Sequence, residues 1–184
     1  MHGLFELLLA GLCMATAVVA KLGPPAGPQK LQRDEIDTFE VVVNFPNAVA
    51  IADSDNNALL QCLSATRTEL DQEALTATYV WKFQKAENLD EREITFHIAP
   101  GETPGTLDMT IGDDPTPKEA IMYYADKNCI VMDVEDSDHH CLLWLRRELK
   151  DAAPPVCIDH FADVCGVDVP EHSRDLCIDG EGDV

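Results

Sequence analysis

The cysteines constrain this chain more than any other feature. Six lie in its body, at Cys62, Cys129, Cys141, Cys157, Cys165 and Cys177, and a seventh, Cys13, lies in an apolar leader. An even set of six, four of them at or beyond residue 141, describes a small secreted domain whose C-terminal tail is stapled to its core. That tail holds few apolar residues, so bridges supply the attachment that packing cannot. Six cysteines allow many pairings, and their number alone does not choose among them.

Residues 1–20, MHGLFELLLAGLCMATAVVA, carry an apolar run from Leu7 to Val19 and end in the small-residue pattern Val18-Val19-Ala20. The run is short for a bilayer span and is followed at once by polar and Pro/Gly-rich sequence, which predicts a cleaved signal peptide. A buried N-terminal helix or a membrane anchor is the competing assignment; the leader has no Lys or Arg and carries Glu6. Cleavage after Ala20 removes Cys13 and leaves the even set. Residues 21–184 then form one domain, with no second apolar stretch able to span a membrane and no lipid-anchor or retention signal. The formal net charge is −21 for the full chain, with 34 acidic against 13 basic residues. Such a surface repels nucleic acids and anionic membranes, and neither is expected as a partner.

KLGPPAGPQK, after the leader, reads as an irregular arm. Gln32–Val43 has a roughly helical apolar face in Ile36, Phe39, Val42 and Val43, while a strand at Phe39–Val43 is the alternative; Pro46 limits either. Beyond it eight segments read as strands: Ala48–Ala52, Ala58–Thr66, Thr76–Lys85, Glu91–Ile98, Thr106–Ile111, Lys118–Tyr124, Ile130–Val134 and Cys141–Leu149. Turn-rich separators, AIADSDNN, APGETPG, GDDPTP and EDSDHH, divide them. Tyr79, Trp81 and Phe83 alternate with Thr78, Val80 and Lys82, and Ile94, Phe96 and Ile98, and Leu107, Met109 and Ile111, repeat the alternation, giving three faces that can line one interior. Short antiparallel strands without a long crossover helix favour an all-β, eight-stranded up-and-down barrel, with a two-sheet sandwich as the alternative. After Pro154-Pro155, Val156–Cys165 is expected to be a helix with Ile158, Phe161, Ala162 and Cys165 on one side, stopped by Gly166.

Tyr123-Tyr124-Ala125-Asp126-Lys127-Asn128-Cys129, then Cys141-Leu142-Leu143-Trp144, Pro154-Pro155-Val156-Cys157, Cys165-Gly166 and Cys177, resemble in that order the salivary lipocalins of ticks, the histamine-binding family. Thr76–Phe83 looks like an early barrel strand of that family, and Asp37-Thr38-Phe39 sits where many members have Asp-x-Trp in an N-terminal helix. The resemblance implies a lipocalin barrel with a short N-terminal helix and a disulfide-attached C-terminal helix. It implies the pairs Cys62–Cys177 and Cys129–Cys157, with Cys141–Cys165 as an additional bridge. It also implies a secreted monomer without cofactor that sequesters a small host mediator, foremost histamine or serotonin, to suppress inflammation.

The ligand-binding residues expected on this basis are Asp37, Phe39, Tyr79, Trp81, Phe83, Phe96, Ile130, Leu142 and Trp144. An ammonium losing its hydration needs a carboxylate or an aromatic face in exchange. Amine-binding relatives commonly carry Glu where this chain has Leu142, and can carry Asp where it has Ile130. Asp37, Glu93, Asp108 and Asp133 are the other carboxylates considered. Leu142 and Ile130 suit instead a leukotriene or fatty acid, with Lys82 or Arg92 at the mouth. A third possibility is capture of a host immune protein through the outer loops. Catalysis has no support: G-x-S-x-G, H-E-x-x-H, a phosphate loop and C-x-x-C are all missing. Asp138-His139-His140 reads as a polar hairpin turn rather than a metal site.

Overall fold

The structure is a computed structural model, and it describes residues 36–55, 60, 63–83, 90–136 and 138–167. The leader with Cys13, and the expected Cys62–Cys177 pair, lie outside the described residues.

A short helix, α1 (Thr38–Asn44), precedes β1 (Asn47–Asp53), β2 (Ser64–Asp71), β3 (Thr76–Phe83), β4 (Arg92–Pro100), β5 (Thr106–Ile111), β6 (Asp114–Ala125), β7 (Cys129–Asp136) and β8 (Asp138–Arg146). A 3-10 turn at Arg147–Leu149 leads to α2 (Pro155–Cys165). Every strand pairs with its sequence neighbour, and β1 pairs antiparallel with β8, so the sheet closes into an up-and-down barrel. Closure removes exposed strand edges and leaves an interior to be filled or occupied. The sandwich alternative is thereby excluded.

The alternation read in the sequence sorts the side chains by face. Tyr79, Trp81, Phe83, Phe96, Ile98, Leu107 and Met109 belong to the inner core, with Ile94 and Ile111 packed against it. On β8, Leu142 and Trp144 point into the same interior, while Cys141, Leu143 and Leu145 join a second core between the barrel wall and α2.

The helices differ in how they are held. Asp37 caps α1, its carboxylate accepting from the Glu40 backbone N–H at 2.9 Å, and Asp-Thr-Phe-Glu has the spacing of a capping box. Phe45 ends the helix because a residue before proline is disfavoured in the α region, and Pro46 follows it. The Arg67 guanidinium donates to the carbonyls of Val42 (2.6 Å) and Val43 (2.9 Å), tying the C-terminal end of α1 to the wall. α2 begins with Pro155 in its first turn and stops at Gly166, which takes a left-handed conformation, φ 72°. It is fastened by two bridges, Cys129–Cys157 and Cys141–Cys165, the two expected pairs that fall among the described residues.

Several boundaries differ from expectation. The second strand runs on to Asp71 because Arg67–Asp71 pair with Tyr79–Thr76 of β3, although the sequence there is polar. β8 starts at Asp138, so Asp138-His139-His140 is strand and not turn: pairing with β7 continues to Asp136↔Asp138. On α2 the buried side chains are Cys157, Phe161 and Val164; Ile158 and Ala162 are only half-buried. The buried face thus carries Cys157, which is bridged to the wall and which hydropathy alone did not select.

Candidate ligand-binding site

The inner core contains a cavity toward the α1 end of the barrel. Val41 and Val42 of α1, with Phe45 just after it, cover it, and Tyr79, Trp81, Ile130 and Trp144 form part of its wall. Met109, Met122 and Met132 complete much of the remainder. These are the only methionines of the chain beyond the leader, whose own are Met1 and Met14. Met122 and Met132 face each other across the β6–β7 pair. Among the described residues, no charged side chain lines the cavity.

Trp81 organises the aromatic part of the wall. Its ring lies 4.1 Å from that of Phe96 and 5.0 Å from that of Trp144, centroid to centroid, in tilted contacts of the kind aromatic pairs prefer. Tyr79 secures the cover, its hydroxyl lying 2.8 Å from the Phe45 carbonyl and 3.0 Å from that of Val42. Burial pushes the Tyr79 phenol above its ordinary pKa, with the Arg67 cation and its hydrogen bond pulling the other way. The phenol therefore stays a neutral donor. Trp144, only 2% exposed, is different: its indole Nε1 is buried with no hydrogen-bond partner among the described residues.

The free space is small, about 50 Å³. That is room for a few water molecules, whereas a ligand pocket typically measures roughly 300–1,000 Å³. Methionine, unbranched and with three rotatable bonds, is the side chain best able to repack around an arriving molecule.

The nine expected residues separate into groups. Tyr79, Trp81, Ile130 and Trp144 line the cavity. Phe83, Phe96 and Leu142 belong to the same core without lining the cavity. Asp37 and Phe39 border an open surface cleft between the start of α1 and the β4–β5 connection. The other carboxylates considered also lie elsewhere. Glu93 and Asp108 are exposed, and Asp133 is buried opposite Cys141 on the α2 side of the wall. Tyr124 is an outer residue too, stacked on His160 of α2 at 3.7 Å. Lys82 pairs with Glu91 at 2.8 Å, and the Arg92 guanidinium sits 4.7 Å over the Phe83 ring.

Sequence reasoning missed a polar group at the end of the barrel away from α1. Asp53 stands opposite Leu142 and His140 opposite Val134, both on the inward side. His140 Nδ1 lies 3.9 Å from Asp53 Oδ1 and 3.4 Å from Asp55 Oδ2. The Asp53 side chain is 0% exposed and that of Asp55 57%. This group has the spacing to face a cation. A register shift between Ala50 and Ala52 turns Asp53 inward, and the sequence there reads as turn, so nothing in the alternation signalled it.

The sequence model of a family described as tick histamine binding protein matches residues 49–176. This chain belongs to the tick histamine-binding protein family. No match among curated proteins accompanies that assignment. Among solved structures, this family member is similar to Japanin from Rhipicephalus appendiculatus bound to cholesterol, with a TM-score of 0.53 and 14% identity. The likeness covers 71% of this chain and 96% of the other. That likeness establishes the fold, and membership of the histamine-binding family makes the chain a non-enzymatic small-ligand binder. Among the described residues, no helix is long and apolar enough to cross a membrane.

Proposed function

We propose that this protein is a secreted monomer, released by removal of residues 1–20, that sequesters a lipophilic host mediator in its barrel and so dampens inflammation. The observation that carries this reading is the composition of the cavity wall: apolar and aromatic throughout, with Ile130 lining it and no carboxylate. Leu142, at the position where amine-binding relatives have Glu, extends the same apolar interior. An ammonium there would surrender its hydration for aromatic faces alone, a loss of several kcal/mol even after relaxation. An apolar molecule gains by the same transfer, at roughly 25 cal/mol per Å² buried. The cholesterol bound by Japanin is consistent with a lipophilic occupant of this fold.

A second reading keeps the biogenic amine and moves it. Asp53, Asp55 and His140 would hold the ammonium of histamine or serotonin at the barrel end away from α1. Calorimetric titration of the disulfide-bonded protein with arachidonic acid, leukotrienes and cholesterol, then histamine and serotonin, separates the two. Saturable binding of a lipophilic compound near one to one, with no amine heat, is the expected result. Amine binding that disappears in Asp53→Asn would instead establish the second reading.

A further inference from the structure

Trp144 has a feature that a purely apolar pocket does not explain. Its indole N–H is buried in the cavity wall and meets no acceptor among the described residues. Leaving a buried donor without a partner costs free energy, and native interiors rarely tolerate it without a reason. Tyr79 offers no relief: its hydroxyl donates to the backbone carbonyls of Val42 and Phe45, and no hydrogen bond joins its oxygen to the indole.

We propose that Trp144 is the specificity-setting donor of the barrel, and that the ligand is an uncharged apolar molecule with one acceptor oxygen, which the indole N–H binds. The inference rests on the lipophilic reading above and narrows it. A carboxylate would enter a wall that contains no Lys, Arg or His, and a single indole donor does not compensate its lost hydration. The acidic surface, −21 for the full chain, opposes its approach as well. An ammonium brings donors only, toward a wall whose unmatched polar atom is itself a donor. A hydroxyl, carbonyl or ester oxygen satisfies the indole without bringing a charge. A saturated hydrocarbon of the same size would gain the burial and leave the donor unmatched. Entry requires the three methionines to repack, since the space present is about 50 Å³.

The test uses one chain with different heads: 1-decanol, decane, decanoate and decylamine, each titrated into the full disulfide-bonded protein labelled with ¹⁵N-tryptophan. The chain has two tryptophans, so the indole region holds two signals. Decanol is expected to bind most tightly and to move the Trp144 indole N–H downfield. Trp144→Phe, which trims the ring as well as removing the donor, is expected to weaken decanol about tenfold more than it weakens decane, the worth of one hydrogen bond in a buried site. The wild-type spectrum decides the matter if the variant fails to fold.

An indole signal that does not move while decanol binds overturns the inference. So does decanoate or decylamine matching decanol at this site, or a variant that weakens decanol and decane alike. Decane and decanol binding equally would overturn the inference alone; silence from every probe would overturn the lipophilic reading with it.

Discussion

Replacing Cys129 and Cys157 together by alanine is expected to lower the unfolding free energy by about 3–4 kcal/mol, the chain-entropy value for a loop of this length. The bridge spans 28 residues and both cysteines are fully buried between the barrel wall and α2. Its removal frees the N-terminal half of α2, leaving Cys141–Cys165 and the packing of Phe161 and Val164 to hold the helix. Urea unfolding followed by far-UV circular dichroism measures the change in midpoint. A loss below about 1 kcal/mol would mean that burial of Phe161 and Val164 already fixes the helix, with the bridge redundant.

Trp81→Ala should destabilise by about 3–5 kcal/mol, as expected when a large aromatic is removed from a packed core. Trp81 is 6% exposed and touches both Phe96 and Trp144. Its loss enlarges the cavity and releases the Trp144 ring from one side. Near-UV circular dichroism should lose the signal that two tryptophans at 5.0 Å generate, while the far-UV spectrum of the strands persists below the unfolding transition. A change of less than about 1 kcal/mol would show that the methionines collapse into the space, and that the interior is more plastic than its aromatic contacts imply.

The sequence made the barrel legible wherever one side chain in two was apolar. Tyr79, Trp81 and Phe83 announced their face, and the same alternation oriented β4 and β5. β2 was harder to delimit, because its second half, Arg67–Asp71, is polar apart from Leu70 and largely exposed. Asp138-His139-His140 looked like turn chemistry, yet those residues continue the β7–β8 ladder, since backbone pairing is indifferent to their polarity.

The site was partly legible for related reasons. Trp81 and Trp144 lie on strands with clear phase, whereas Asp53 follows a register shift that no pattern reveals. Asp37 looked like a ligand carboxylate and is engaged as a helix cap. The size of the cavity depends on how methionines from β5, β6 and β7 interdigitate with two indoles, which is a matter of rotamers rather than of residue type.

The central claim, that a lipophilic molecule enters the barrel, can be read at the methionines themselves. With ¹³C-methyl methionine labelling, the chain beyond the leader reports only from Met109, Met122 and Met132, all of which line the cavity. Addition of a lipophilic ligand should shift all three methyl signals together and saturate with the calorimetric stoichiometry. Saturable binding that leaves the three signals unmoved would place the ligand outside the barrel and contradict the account.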